Sequence, residues 1–190
     1  MRVILASGSP RRRELLKYIR DDFEIMVADA DETVKEGTAP EEAVVELACR
    51  KASAVRGLEN ARDAVIIAAD TIVVLDGRIY GKPADKEDCA RMLSELSGRV
   101  HTVLTGVCIV TPEGKTLSFF DSTQVEFYKL GEKEIACYIA TDEPMDKAGG
   151  YAIQGQGAML VKGIVGDFYN VIGLPIAKLK RMADMIGVSL

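Results

Sequence analysis

A chain of 190 residues with 48% hydrophobic content can bury a core as one domain, residues 1–190, or as two lobes of that domain. A formal net charge of −5 gives no general hold on nucleic acid, so any polyanion site must be local. No apolar run approaches the roughly 20 residues of a membrane span, and Arg11 arrives too early for a secretory apolar region.

The four cysteines, Cys49, Cys89, Cys108 and Cys137, form no C-x-x-C pair, and each falls in an apolar helix or strand pattern. They predict buried, reduced thiols and hence a cytoplasmic protein. A single histidine, His101, cannot build a His-rich metal site.

The chain opens on strand, loop and helix. Arg2 to Leu5 reads as a short strand, and Ser7-Gly8-Ser9 as a tight loop. Ser9 suits an N-cap and Pro10 the first helical position. Leu15, Leu16 and Ile19 then supply a buried stripe. Arg11, Arg12 and Arg13 crowd the first turn, where a cation is unfavourable by about 0.3–1 kcal/mol. A bound phosphate explains Arg11 and Arg12 there better than a basic surface turn does. Arg13 alone needs no more than that turn. Without a Gly-Lys-Ser/Thr ending the motif is no P-loop.

Phe23 to Ala28 reads as a second strand, followed by the acidic cluster Asp29-Ala30-Asp31-Glu32. Two readings stand: a solvated loop, or hard oxygen ligands for a divalent cation. Thr38-Ala39-Pro40-Glu41 has the form of a capping box. The helix it opens places Lys51 on the apolar face of Val44, Leu47, Ala48, Ala52 and Val55. Such a lysine either snorkels to the edge or reaches into a cleft.

Ala64 to Leu75 reads as a strand of nearly continuous apolar sequence, the pattern of one covered on both faces, and Asp70-Thr71 interrupts it. A carboxylate at that point is costly unless it is paired or coordinates a metal, which favours a functional Asp70 over a structural ion pair. Asp76-Gly77 predicts a type I′ hairpin turn. Its register sets Lys82 opposite Thr71, beside Asp70, though alternation and a bulge at Gly81 assign Lys82 to different faces.

Asp85 to Ser97 predicts an amphipathic helix ended by Gly98. Strands follow at Thr102–Val110, Thr116–Phe120 and Thr123–Tyr128, then a helix over Leu130 to Ala140. From Asp142 the composition shifts, with seven glycines between Gly149 and Gly173. That density allows close approach to a ligand, and Gln154 within it can read amide-like edges. Pro175 opens a last helix.

Ser7-Gly8-Ser9-Pro10-Arg11-Arg12, Ala69-Asp70-Thr71, Gly81-Lys82-Pro83 and Leu96-Ser97-Gly98-Arg99-Val100-His101 resemble blocks of the Maf family. So do Glu143 to Gly149, Tyr151 to Gly155 and Asn170 to Pro175, in order along the chain. The resemblance implies a mixed α/β fold, two lobes around an elongated sheet with a deep cleft, similar to inosine triphosphate pyrophosphatases. It implies a nucleoside triphosphate pyrophosphatase that releases pyrophosphate and a nucleoside monophosphate with Mg²⁺ or Mn²⁺. Ser7, Arg12, Glu32, Lys51, Asp70 and Lys82 match the family's catalytic and phosphate-binding set, Asp70 being the proton acceptor; the divalent metal is then expected on Glu32, with Asp70 as a second ligand. Arg11, Thr71 and Gln154 match the selectivity positions of the branch acting on dTTP and UTP; in the 7-methyl-GTP branch a tryptophan replaces Arg11. A homodimer is implied as well. Two alternatives remain: the same chemistry on purines, or a nucleotide-binding regulator of cell division without turnover.

Overall fold

Why the sheet forms is clearest at its middle. The computed structural model describes all 190 residues. Strand β3 (Val65–Leu75) has every residue from Val65 to Ala69 fully buried, as its unbroken apolar run requires. Strand β1 (Val3–Leu5) lies parallel to it, Val3 opposite Val65 and Leu5 opposite Ile67. Strand β2 (Glu24–Ile25) is parallel to β1 on the other side. Strand β4 (Arg78–Tyr80) returns antiparallel on β3 through the Asp76-Gly77 turn, both of whose residues have positive φ. Strands β5 (Val100–Val110), β6 (Thr116–Phe127) and β7 (Val161–Val165) complete a seven-stranded mixed sheet of order β2-β1-β3-β5-β6-β7, with β4 on β3.

Helices α1 (Pro10–Leu16), α2 (Pro40–Arg56), α3 (Lys86–Leu96), α4 (Glu132–Ile139), α5 (Phe168–Ile172) and α6 (Ile176–Met185) flank the sheet. No helix is long and apolar enough to cross a membrane. The chain divides into two compact units. The first comprises residues 1–70, 105–121 and 173–190; the second comprises 71–104 and 122–172.

In the first unit α2 packs Ala48, Ala52 and Val55 against Ile4, Ile66, Ala68 and Cys108. Small residues on both sides let helix and strands approach closely. In the second unit α3 and α4 cover a core that includes Val73, Leu93, Leu96, Phe127 and Ile139. His101, Phe127 and Tyr151 meet edge-to-face at its centre, with ring centroids 4.7–5.3 Å apart.

Several local expectations are corrected. Thr38 does not cap α2: the N-cap is Ala39, which has no side-chain acceptor, while the Thr38 N–H closes a turn onto Lys35. The strand expected over Phe23–Ala28 shrinks to Glu24–Ile25, because β1 ends at Leu5 and the ladder stops once the Met26 N–H has donated to the Leu5 carbonyl at 3.2 Å. The two strands expected at Thr116–Phe120 and Thr123–Tyr128 are one, because Asp121-Ser122 stays extended and the Asp121 carboxylate is met by Lys178 at 3.0 Å. The glycine-rich segment contributes β7, which periodicity missed because only Ile164 and Val161 of its five residues face inward even in part. Cys137 is exposed and Cys49 half-buried, so not every thiol belongs to a core.

His101 is 2% exposed, and its Nε2 shares a 2.7 Å hydrogen bond with the Tyr151 hydroxyl, while Nδ1 has no partner. Burial pushes its pKa down from 6.5 to about 4. Because the folded value is depressed, the unfolded chain binds the proton first as pH falls. Stability on the order of 3 kcal/mol is therefore present above pH 6.5 and lost towards about pH 4. Urea midpoints at pH 7 and pH 5 should fall clearly for the native chain and much less for His101→Gln. An equal fall in both would remove His101 as the titrating group.

Candidate active site

The loop before α1 is held by polar contacts between residues close in sequence. Ser7 Oγ accepts from the Ser9 N–H at 3.2 Å, and Ser9 Oγ caps the helix by accepting from the Arg12 N–H at 3.4 Å. Pro10 occupies the first turn, which holds no acidic residue to balance the arginines. Arg12 folds back over this loop. Its Nη1 lies 3.4 Å from Ser7 Oγ, and its Nε donates to the Gly173 carbonyl at 2.8 Å. Ser7 is 7% exposed. Burial works against the Arg12 charge and lowers its pKa, an effect that the negative Asp70 and Glu32 oppose. Arg11 is half-buried beside it, while Arg13 is exposed.

Asp70 directly follows the fully buried run Val65–Ala69 of β3, and Lys51 on α2 reaches it. The Lys51 ammonium bonds to Asp70 Oδ1 and, at 2.8 Å, to Glu32 Oε1. Lys51 thus does not snorkel away; it points inward. Its side chain is 20% exposed, that of Asp70 14% and that of Glu32 63%. The acidic segment after β2 therefore folds so that Glu32 meets Lys51, while Asp31 meets Arg50 of the same helix and accepts from the Thr33 N–H at 2.9 Å.

Two carboxylates converging on one cation offer the donor set that Mg²⁺ or Mn²⁺ would use. No group of three or more His, Cys, Asp and Glu side chains gathers in the molecule. The protein would supply two hard oxygen ligands and leave the rest of a coordination shell to water or phosphate.

Thr71, Lys82 and Gln154 belong to the second unit. Thr71 is half-buried on β3, directly after Asp70. Lys82 is exposed in the loop after β4, whose ladder with β3 ends at Val73 and Tyr80. The Gly81 carbonyl accepts from the Gly149 N–H at 2.9 Å, tying that loop to the glycine-rich segment. Gly149 has φ +70°, and a Cβ there would fall 2.9 Å from Val73 Cγ2, so glycine is required.

Gln154 is exposed at the head of the 3-10 turn Gly155–Leu160. Glu143 organises that turn. Its carboxylate accepts from the Gln156 and Gly157 N–H groups, each at 3.1 Å, and from the Tyr138 hydroxyl at 3.0 Å. Gly155, at φ +65°, is pressed so close that a Cβ would lie 2.5 Å from Glu143 Oε2. Sequence reasoning missed two positioning groups, the Glu143 carboxylate and the Gly173 carbonyl on Arg12. A glutamate followed twelve residues later by Gly-Gln-Gly was the available signal for the first; a backbone carbonyl leaves none.

A family model described as Maf-like protein matches residues 2–186. The dTTP/UTP pyrophosphatase of Bacillus cereus (strain B4264) is 49% identical over 180 residues, covering 95% of this chain and 93% of that protein. The dTTP/UTP pyrophosphatase of Bacillus cytotoxicus is 50% identical over 178 residues, 94% and 92% of the two chains. Among solved structures, the Staphylococcus aureus Ham1 protein superposes with a TM-score of 0.49 at 18% identity, over 68% of this chain and 73% of that one, a likeness too weak to build on. Half-identity sustained along nearly the full length, together with a family match from residue 2 to residue 186, places the chain: it belongs to the Maf-like protein family.

Proposed function

We propose that this chain hydrolyses dTTP and UTP between the α- and β-phosphates, releasing pyrophosphate and the nucleoside monophosphate. The reading rests on relatives of that name at about half identity and on one observation: Lys51 holds two carboxylates beside the Ser7–Arg12 loop. Arg12 presents a charged fork anchored by Gly173 through Nε. Ser7, Arg12, Lys51 and Lys82 take the phosphate oxygens. When a phosphate claims the Lys51 ammonium, Glu32 and Asp70 are released to act on something else.

Glu32 and Asp70 would hold Mg²⁺ or Mn²⁺. Bound there, the metal would supply charge neutralisation and a more acidic water. Asp70 accepts the proton of the attacking water. A carboxylate is a weak base at neutral pH, so its placement of that water matters more than its basicity. Arg11, Thr71 and Gln154 read the pyrimidine. On the same reading the enzyme is a cytoplasmic homodimer, clears unwanted nucleotides, and has no nucleic-acid or membrane partner.

Phosphorus NMR of a dTTP digest should show thymidine monophosphate and pyrophosphate appearing together, and only with Mg²⁺ or Mn²⁺ present. Stepwise orthophosphate, or full activity in EDTA, would defeat the proposal; faster turnover of inosine triphosphate than of dTTP would move it to purines.

Selectivity gives a second test. A pocket that hydrogen-bonds a base edge rejects a ligand that leaves its groups unpaired, by roughly 1–3 kcal/mol per group. Gln154→Ala should therefore narrow the ratio of kcat/KM between dTTP and dGTP. If the ratio holds, the base is read elsewhere.

A further inference from the structure

The proposed phosphate site leaves one reactive pair of the first unit unused. Gly106 lies in β5 beneath α2, and a Cβ there would come within 2.3 Å of the Val44 carbonyl oxygen and 2.8 Å of the Val45 nitrogen. Its absence lets the helix backbone rest directly on the strand. Further along α2, Cys49 packs against the cluster that holds Cys108, two residues beyond Gly106 and on the same face of β5. The Thr111 N–H donates to the Lys115 carbonyl at 2.9 Å, closing the β5–β6 hairpin in a register that sets Ser118 opposite Cys108.

Three elements therefore converge on one sulfur. Cys49 packs within interaction range of the Cys108 thiol and the Ser118 hydroxyl. Both cysteines are free thiols; Cys49 is half-buried, and Cys108 is 1% exposed. Its interaction with Cys108, opposed by burial and helped by that with Ser118, lowers the Cys49 pKa. The same contact, together with burial, raises that of Cys108. An accessible thiol biased towards thiolate, with a protonated thiol behind it, is the arrangement of an attacking and a resolving cysteine.

We propose that Cys49 and Cys108 form a peroxide-oxidisable pair that closes to a reversible disulfide between α2 and β5. Cys49 sulfur attacks one oxygen of hydrogen peroxide and the O–O bond breaks. The departing hydroxide takes the Cys49 proton as water, leaving the sulfur as sulfenic acid. Cys108 sulfur then attacks Cys49 sulfur, the S–S bond forms and the S–O bond breaks. That hydroxide leaves with the Cys108 proton as a second water. Two thiols and one peroxide become one disulfide and two waters, two electrons passing from sulfur to oxygen. The bond ties down α2 two residues before Lys51.

The test uses the full chain with Cys137→Ser, so that the exposed thiol cannot join two copies. One equivalent of hydrogen peroxide should lower the mass by about 2 Da, with the Cys49 and Cys108 peptides cross-linked and dithiothreitol restoring the starting mass. Cys108→Ala in the same background should instead gain about 16 or 32 Da at Cys49, as sulfenic or sulfinic acid. Cys49→Ser, at the half-buried position, should give no cross-link. Oxidation of Cys89 with Cys49 intact, or over-oxidation of Cys49 while Cys108 is present, would overturn the proposal.

Discussion

A carboxylate halfway along an apolar strand has to find a cation, and Asp70 finds the Lys51 ammonium. Glu32 meets the same ammonium from a loop, so one positive charge holds two negative ones in the first unit. Removing one partner of a buried pair typically costs about 3–5 kcal/mol, because the other charge is stranded. Here the cost is shared, since each carboxylate leaves Lys51 a second partner. Such an arrangement tolerates exchange. On the proposed reading, a phosphate that takes the ammonium would free two hard oxygen donors at once.

That contact depends on how closely α2 lies on the sheet. Ala48 and Ala52 face the strands, and Gly106 removes the carbon that would collide with Val44. The same close packing that lets Lys51 reach Asp70 brings Cys49 to Cys108. In the second unit, polar side chains from outside the glycine-rich segment hold it instead. Glu143 fixes the turn after Gln154, while His101 and Tyr151 share a bond in the core.

Much of the first unit was legible because charge broke the local pattern there. Arginines in a helix's first turn, a lysine on an apolar stripe and an aspartate in an apolar strand each violate a rule, and Ser7, Arg12, Lys51 and Asp70 come together. Glu32 could not be told from Asp29 or Asp31 by type, and only the fold of the loop selects it. Lys82, Thr71 and Gln154 could be placed on loops and a strand, but backbone alternation says nothing about the groups that a loop residue meets. Strand β7 and the Gly173 carbonyl carried no periodic or chemical signal. The apparent capping box at Thr38 failed because Pro40 moves the helix start one residue on, to an N-cap that has no acceptor.

The central claim is that Asp70 serves the chemical step and is not merely half of an ion pair. Asp70→Asn keeps the shape and removes the charge, while Lys51 retains Glu32. Thermal melting, nucleotide binding and single-turnover hydrolysis, measured on the same preparation, separate the two roles. The account predicts a melting temperature close to that of the native chain, retained nucleotide binding, and a chemical step slower by at least the ~10²-fold typical of a lost general base. A variant that melts far lower yet hydrolyses dTTP at a near-native rate would contradict it and assign Asp70 to structure.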